Sequence, residues 1–256
     1  MKISNFTTAV RTLTVFPLGR KQSENMSDSL YYYPLIGLML GIIVFLIIFA
    51  FNSLYEQSEP LVLGAVYTVL IVLFTRAFHL DGLGDMLDGF GGAYNKRDIL
   101  LIMKDSRCGN FGITGICVLL ICKTVFASFV LNSDIVSVLW VLMLSRALTA
   151  VVCCIGKYAK ETGLSYDLVS GAGKKQLVFI IFFMIIGASF FLIYAYFFRN
   201  SLYSYSVKLI ASLIFSVFNV SMIMIISKRK ISGITGDILG AVCEVSETSA
   251  LLGMLF

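Results

Sequence analysis

The chain is expected to fold as an all-α, polytopic integral membrane bundle of about six to seven transmembrane helices, one domain over residues 1–256. Three observations say so. Of its 256 residues 58% are hydrophobic and 14% charged, where a soluble domain carries about 25% charge. Apolar runs of the roughly 20 residues needed to cross a hydrocarbon core recur along it. Lys and Arg collect in alternate connections between those runs, as they do when cytoplasmic loops are enriched in positive charge. The same composition excludes disorder, a soluble Rossmann or barrel enzyme, and, with 6 scattered Cys, a disulfide scaffold. The net charge of +5 reads as a topological address, so no nucleic-acid partner is expected.

Taken in order, Phe6, Val10 and Leu13 recur at helical spacing before Pro17. They predict a short amphipathic helix, lying on the membrane or packed on the bundle. Arg11 and its neighbouring threonines interrupt any signal-peptide core, so no removable leader is expected. The spans are 32–51, 61–78, 111–131, 135–154, 177–198, 207–227 and 238–256, the last weakened by Glu244 and Glu247. Residues 1–30 hold four basic residues (Lys2, Arg11, Arg20, Lys21), 79–110 four, 155–176 four and 228–237 three, while 52–60 and 132–134 hold none. The N-terminus and the loops 79–110, 155–176 and 228–237 are therefore expected in the cytoplasm.

The segment from Arg76 to Gly92 breaks the apolar pattern. On an α-helix Asp81, Asp85 and Asp88 fall at i, i+4 and i+7, within about 60° of arc. At about 5 Å and an effective dielectric near 20, adjacent carboxylates repel by on the order of 3 kcal/mol at most. A hard divalent cation removes that cost, and oxygen-only ligands favour Mg²⁺ or Mn²⁺; the duller account is a solvated acidic face. Five of the 21 Gly lie in 82–92, and the close approach of a phosphate or another helix, for example at Gly82, would offset their low helix propensity. His79, the one histidine, cannot build a multi-His metal site but can serve as a lone ligand, as a hydrogen-bond donor or, more plainly, as a satisfied interfacial residue.

A second cluster, Met103-Lys104-Asp105-Ser106-Arg107, suits a diphosphate: the cations hold phosphate oxygens while Asp105 shares the metal or orients a basic side chain. A cytoplasmic membrane anchor is the competing account. The third cluster runs through Thr235 and Asp237 to Glu244 and Glu247, with Gly240, Glu244 and Glu247 on one helical face. Ionisable groups at membrane depth face an interior or a water-filled cavity, although an interfacial helix with its acids in water competes. Arg76 and Arg146 are candidate phosphate partners, with snorkelling the alternative for Arg76.

These motifs resemble cobalamin synthase, the adenosylcobinamide-GDP ribazoletransferase family, over nearly the whole chain. The resemblance rests on Arg11 to Pro17, Tyr33 to Gly37, His79 to Gly89, Met103 to Arg107 with Gly109 and Gly112, and Thr235 to Asp237 with Leu239 and Gly240. Departures are small: Gly84 stands where alanine is more usual, and Cys108 where an aliphatic residue often follows. The resemblance implies a multi-pass enzyme of the cell inner membrane, its active site cytoplasmic, in nucleotide loop assembly late in cobalamin biosynthesis. It would join a corrinoid, adenosylcobinamide-GDP, to α-ribazole or its 5′-phosphate, releasing GMP and requiring Mg²⁺. Beyond these substrates and the lipid bilayer, a second copy of the chain or other cobalamin-pathway enzymes are candidate partners.

The expected roles follow. Asp81, Asp85, Asp88 and Asp105 hold the metal; Asp88, Asp105, Lys104, Arg107 and Asp237 act in catalysis; Arg76, His79, Gly82, Ser106, Arg146, Thr235 and Glu244 bind substrate. Two alternatives compete. A lipid enzyme of the CDP-alcohol phosphotransferase type would need Ala-Arg after Asp81-Gly82, where Leu83-Gly84-Asp85 stands instead. A cation transporter would place its acids at the midplane of several spans, whereas these cluster at span ends apart from Glu244 and Glu247.

Overall fold

A computed structural model describes residues 2–19, 23–55, 59–163 and 165–256; Arg20 and Lys21 of the basic N-terminal segment lie outside them. The described chain is helical: α1 (Ile3–Leu13), a 3-10 turn (Met26–Tyr32), α2 (Tyr33–Leu54), α3 (Pro60–Thr75), α4 (Phe78–Gly92), α5 (Lys96–Ile102), α6 (Asn110–Ser133), α7 (Ser137–Ile155), α8 (Tyr166–Ser170), α9 (Lys174–Tyr194) with a π-helical turn (Ala195–Arg199), α10 (Leu202–Ile231) and α11 (Gly236–Gly253). Five segments are long and apolar enough to cross a membrane: Met26–Leu54, α6, α7, Lys174–Arg199 and α10. Helices α3 and α4, bent by 90°, make a sixth if taken as one broken span. The protein is a multi-pass membrane protein.

The expected seventh span, α11, is not among them. It has 18 residues and carries Asp237, Glu244 and Glu247, too much charge for a lipid-facing helix. It lies instead inside the bundle against α4, α6, α7 and α10, buried along almost all its length. Helix α7 is the other central element, packed on α2, α9 and α11. Around them α2, α3, α6, α9 and α10 turn large apolar side chains outward, among them Phe49, Leu73, Phe129, Phe182 and Phe218, as a lipid-facing belt requires. The N-terminal helix packs on the bundle: Ala9, Val10 and Leu13 are buried, and Phe6 meets Tyr32 edge-on at 5.6 Å.

Between α3 and α4, Arg76 and Ala77 both take φ of 54°. Neither is glycine, so this elbow holds about 1–2 kcal/mol of strain per residue. It turns α4 against the first turns of α6 and α11. A Cβ at Gly82 would sit 2.9 Å from the Asp237 carbonyl oxygen, and one at Gly240 would sit 3.0 Å from that of His79. The glycines therefore let α4 and α11 approach backbone to backbone, and the expected phosphate contact at Gly82 is replaced by helix packing.

The basic segments meet at this end of the bundle. Lys230 Nζ donates to the Phe90 carbonyl at 2.7 Å, closing 228–237 onto α4. Tyr158 pairs with Ile234 in a short parallel bridge, with Ala159 N donating to the Ile234 carbonyl and Ile234 N to that of Lys157, each at 2.8 Å. Residues Ser23 to Met26 share a cleft with Asp167, Ser170 and Gly171. At the other end Asp134 accepts from Tyr205 at 2.6 Å and Tyr194 at 3.2 Å, and Arg199 donates to the Ser133 carbonyl at 2.8 Å. The alternation of charge along the sequence thus separates two physical ends.

Candidate active site

Asp81, Asp85 and Asp88 share a helix as their spacing predicts, but their surroundings differ. Asp81 is exposed, Asp85 half-buried and Asp88 buried. Helix α6 begins at Gly109, which has no side chain to cap it. Asp88 supplies the cap from α4: Gly109 N donates to Oδ2 at 2.6 Å and Gly112 N to Oδ1 at 2.8 Å. A carboxylate at a helix N-terminus satisfies otherwise orphaned amides and complements the dipole. Both Asp88 oxygens are therefore engaged in holding α6, which corrects the expectation of three equivalent carboxylates.

The acid that faces Asp85 from outside α4 is Asp237, in the first turn of α11. Burial, reinforced by the charges of Asp81, Asp237 and Asp88, pushes the Asp85 carboxyl up to about 7. Burial also raises Asp237. Thr235, expected to touch substrate, caps α11 instead: its hydroxyl accepts from Ile238 N at 3.4 Å and donates to Asp237 Oδ2 at 3.0 Å, so it orients that carboxylate. Among the described residues no three His, Cys, Asp or Glu side chains converge as a preformed metal site. The acidic face lacks counter-charge of its own.

Cations stand at the rim. Lys104 is exposed, and Lys160, on the 155–165 connection, is within electrostatic reach of both Lys104 and Asp237. Asp105 is committed to Arg107, whose Nη2 donates to Oδ2 at 2.6 Å and whose Nε donates to Oδ1 at 3.0 Å. That guanidinium holds the Asp105 carboxyl down at about 2. Of its two expected roles, metal ligand or partner of a basic side chain, the structure brings together the second. Ser106 lies exposed in the same turn, and Arg76 is exposed at the elbow. Cys108 lies 3.9 Å from Asp88 Oδ2; its polar neighbourhood in sequence was the available signal. Lys160 was visible only as one positive charge among many.

The remaining expected site residues lie in the core. Lys123 binds Glu244 at 2.5 Å and Glu247 at 3.0 Å, Arg146 binds Glu247 through Nη1, and Tyr67 donates to Glu247 Oε1 at 3.0 Å. All four charged side chains are at most 1% exposed. Two cations and two anions cancel, so Glu244 and Arg146, expected to bind substrate, are internal ion-pair partners joining α6, α7 and α11. His79 is buried beside Gly240 and so does not open to the acidic face. Lys123, inside a long apolar run, was missed because nothing local distinguishes a paired lysine from a lipid-anchoring one.

Comparison with known proteins extends the pattern to the whole chain. Among curated proteins, an adenosylcobinamide-GDP ribazoletransferase of Chlorobium chlorochromatii is 31% identical over 252 residues, 96% of this chain and 94% of its own. One of Chlorobium phaeovibrioides is 32% identical over 258 residues, with the same coverage, and one of Clostridium kluyveri is 31% identical over 248 residues, 96% of this chain and 93% of its own. No solved structure matches the chain. The family described as cobalamin-5-phosphate synthase matches residues 5–255, taking in the acidic helix, the Lys104 to Arg107 turn and the capped start of α11, and to that family the chain belongs.

Proposed function

We propose that the chain is the adenosylcobinamide-GDP ribazoletransferase of nucleotide loop assembly, joining adenosylcobinamide-GDP to α-ribazole or its 5′-phosphate. The observation that carries the chemistry is the cation-deficient acidic face between α4 and α11, with Asp85 raised to about 7 and Lys104 and Lys160 at its rim. That donor set fits Mg²⁺ entering with a diphosphate: Asp81 and Asp85 would hold it together with the substrate phosphates, and its charge would offset that of the phosphate oxygens and leaving group.

The reaction is a displacement at phosphorus. The ribose hydroxyl of the acceptor forms a P–O bond to the corrinoid-side phosphorus, the bond to GMP breaks, and the hydroxyl proton passes to a carboxylate. Asp237, raised by burial and oriented by Thr235, suits that general base. Lys104 neutralises charge on the equatorial oxygens, which is how phosphoryl transfer is mainly catalysed. Asp105 holds the Arg107 guanidinium beside it. The strained elbow and the Asp88 cap fix α4 so that Asp85 and Asp237 keep their separation. Charge placement argues against a cation pathway: Glu244 and Glu247 are already neutralised by Lys123 and Arg146.

The purified protein, incubated with adenosylcobinamide-GDP, α-ribazole and Mg²⁺, should release GMP and a completed corrinoid, and omission of Mg²⁺ should abolish both. GMP release that is independent of the acceptor would overturn the transferase reading.

A further inference from the structure

The loop 155–176 earned attention in the sequence only as an address, four lysines marking one side of a membrane. An address needs charge and no shape, yet two of those lysines, Lys157 and Lys160, line a cavity of about 560 Å³. Its walls include Lys96, Lys157, Lys160, Glu161, Tyr158, Tyr166 and Ser232, so three separate basic segments contribute and the lysines outnumber the one carboxylate. The Tyr158 and Tyr166 rings meet edge to face, with centroids 5.8 Å apart at 81°. The floor is built in: Tyr158 bridges to Ile234 through the backbone. Lys160 is within reach of the Asp237 carboxylate. The cavity thus lies beside the acidic face and carries a net opposite charge.

Lysines holding phosphate oxygens beside aromatic rings that offer a face to a planar base are the chemistry of nucleotide capture. We propose that this cavity seats a nucleoside phosphate, with Lys96, Lys157 and Lys160 holding the phosphate and the Tyr158–Tyr166 pair offering a ring face to the base. The inference rests on the transferase reading and deepens it. Both substrates of that reaction can supply such a unit, the guanosine phosphate of the activated corrinoid or the phosphorylated acceptor. The cavity has room for one nucleotide and adjoins the carboxylates, so a nucleotide seated there presents its phosphate toward Asp237.

The test is equilibrium binding to the purified full-length protein in detergent, with labelled GMP and labelled α-ribazole 5′-phosphate as probes and inorganic phosphate as competitor. Lys157→Gln and Lys160→Gln should each weaken one nucleotide about tenfold or more, the scale of a lost charge-assisted hydrogen bond. The nucleotide affected names the substrate that uses the cavity, and the KM for that substrate should rise while kcat is held. Tyr166→Ala should weaken nucleotides and leave inorganic phosphate unchanged. Lys208→Gln, near the opposite end of the bundle, is the unchanged control. Lys96 and Lys157 are exposed, so Lys96→Gln and Lys157→Gln carry the test should Lys160→Gln misfold. Unchanged affinity for both nucleotides in every lysine variant would overturn the proposal, as would competition by inorganic phosphate as strong as that of either nucleotide. Binding needs no turnover, so the two readings fail separately: wild-type protein that binds GMP without transfer sinks the transferase, and variants with unchanged KM sink only the cavity.

Discussion

Asp85 and Asp88 lie less than one helical turn apart and serve opposite ends. Asp88 is tied to two amides of α6, so Asp88→Ala should cost about 0.5–2 kcal/mol, the range of a lost helix cap, with activity falling through instability. Thermal unfolding with and without stabilising lipid measures it. Asp85 has no such tie. Its carboxyl, ordinarily near 3.8, titrates near 7 in the folded protein, so between about pH 4 and pH 7 the folded state binds more protons than the unfolded one. The contribution of Asp85 to stability is therefore fully present below pH 4 and is lost as pH rises through 7. Metal-free Asp85→Asn should melt above wild type at pH 8 and level with it at pH 4, while turnover falls by two or more orders of magnitude. An unchanged melting difference across that range would remove the repulsion on which the acidic face is argued.

At the scale of elements, helix periodicity carried the reading far: it set the acids on α4, brought Gly240, Glu244 and Glu247 to one face of α11, and marked α7 as a span. Pairing was not legible. That Asp88 reaches forward to cap α6, and that Lys123 answers Glu244 from 121 positions away, depend on packing that local spacing does not encode. The length of α11 likewise suggested a seventh span, whereas its acids mark a helix sheathed by protein, and which neighbours sheathe it is not written in its own sequence. The buried network makes that sheath testable. Lys123→Met leaves two carboxylates facing one guanidinium and should destabilise by about 3–5 kcal/mol. Lys123→Met combined with Glu244→Gln removes one charge of each sign and should recover much of the loss. Equal melting of the single and double variants would show the pair to be energetically silent.

For the whole molecule, the decisive feature is that the described parts of the basic segments, distant in sequence, meet at one end while Asp134, Tyr194, Arg199 and Tyr205 close the other. Packing establishes two ends, and from the distribution of Lys and Arg we propose that the basic end faces the cytoplasm. A cytoplasmic acidic face also suits substrates carrying several phosphates, which do not cross a bilayer unaided. In an otherwise cysteine-free chain, Lys175→Cys and Arg229→Cys should resist a membrane-impermeant thiol reagent added to intact cells and react once the membrane is opened. Tyr203→Cys, at a position 84% exposed near the opposite end, should react from outside without opening. The three sites test separate connections, so a wrong span count and an inverted bundle leave different marks. Labelling of position 229 alone from outside would mean that α10 does not cross. Labelling of 175 and 229 with protection of 203 would invert the whole assembly and put the acidic face on the wrong side for its substrates.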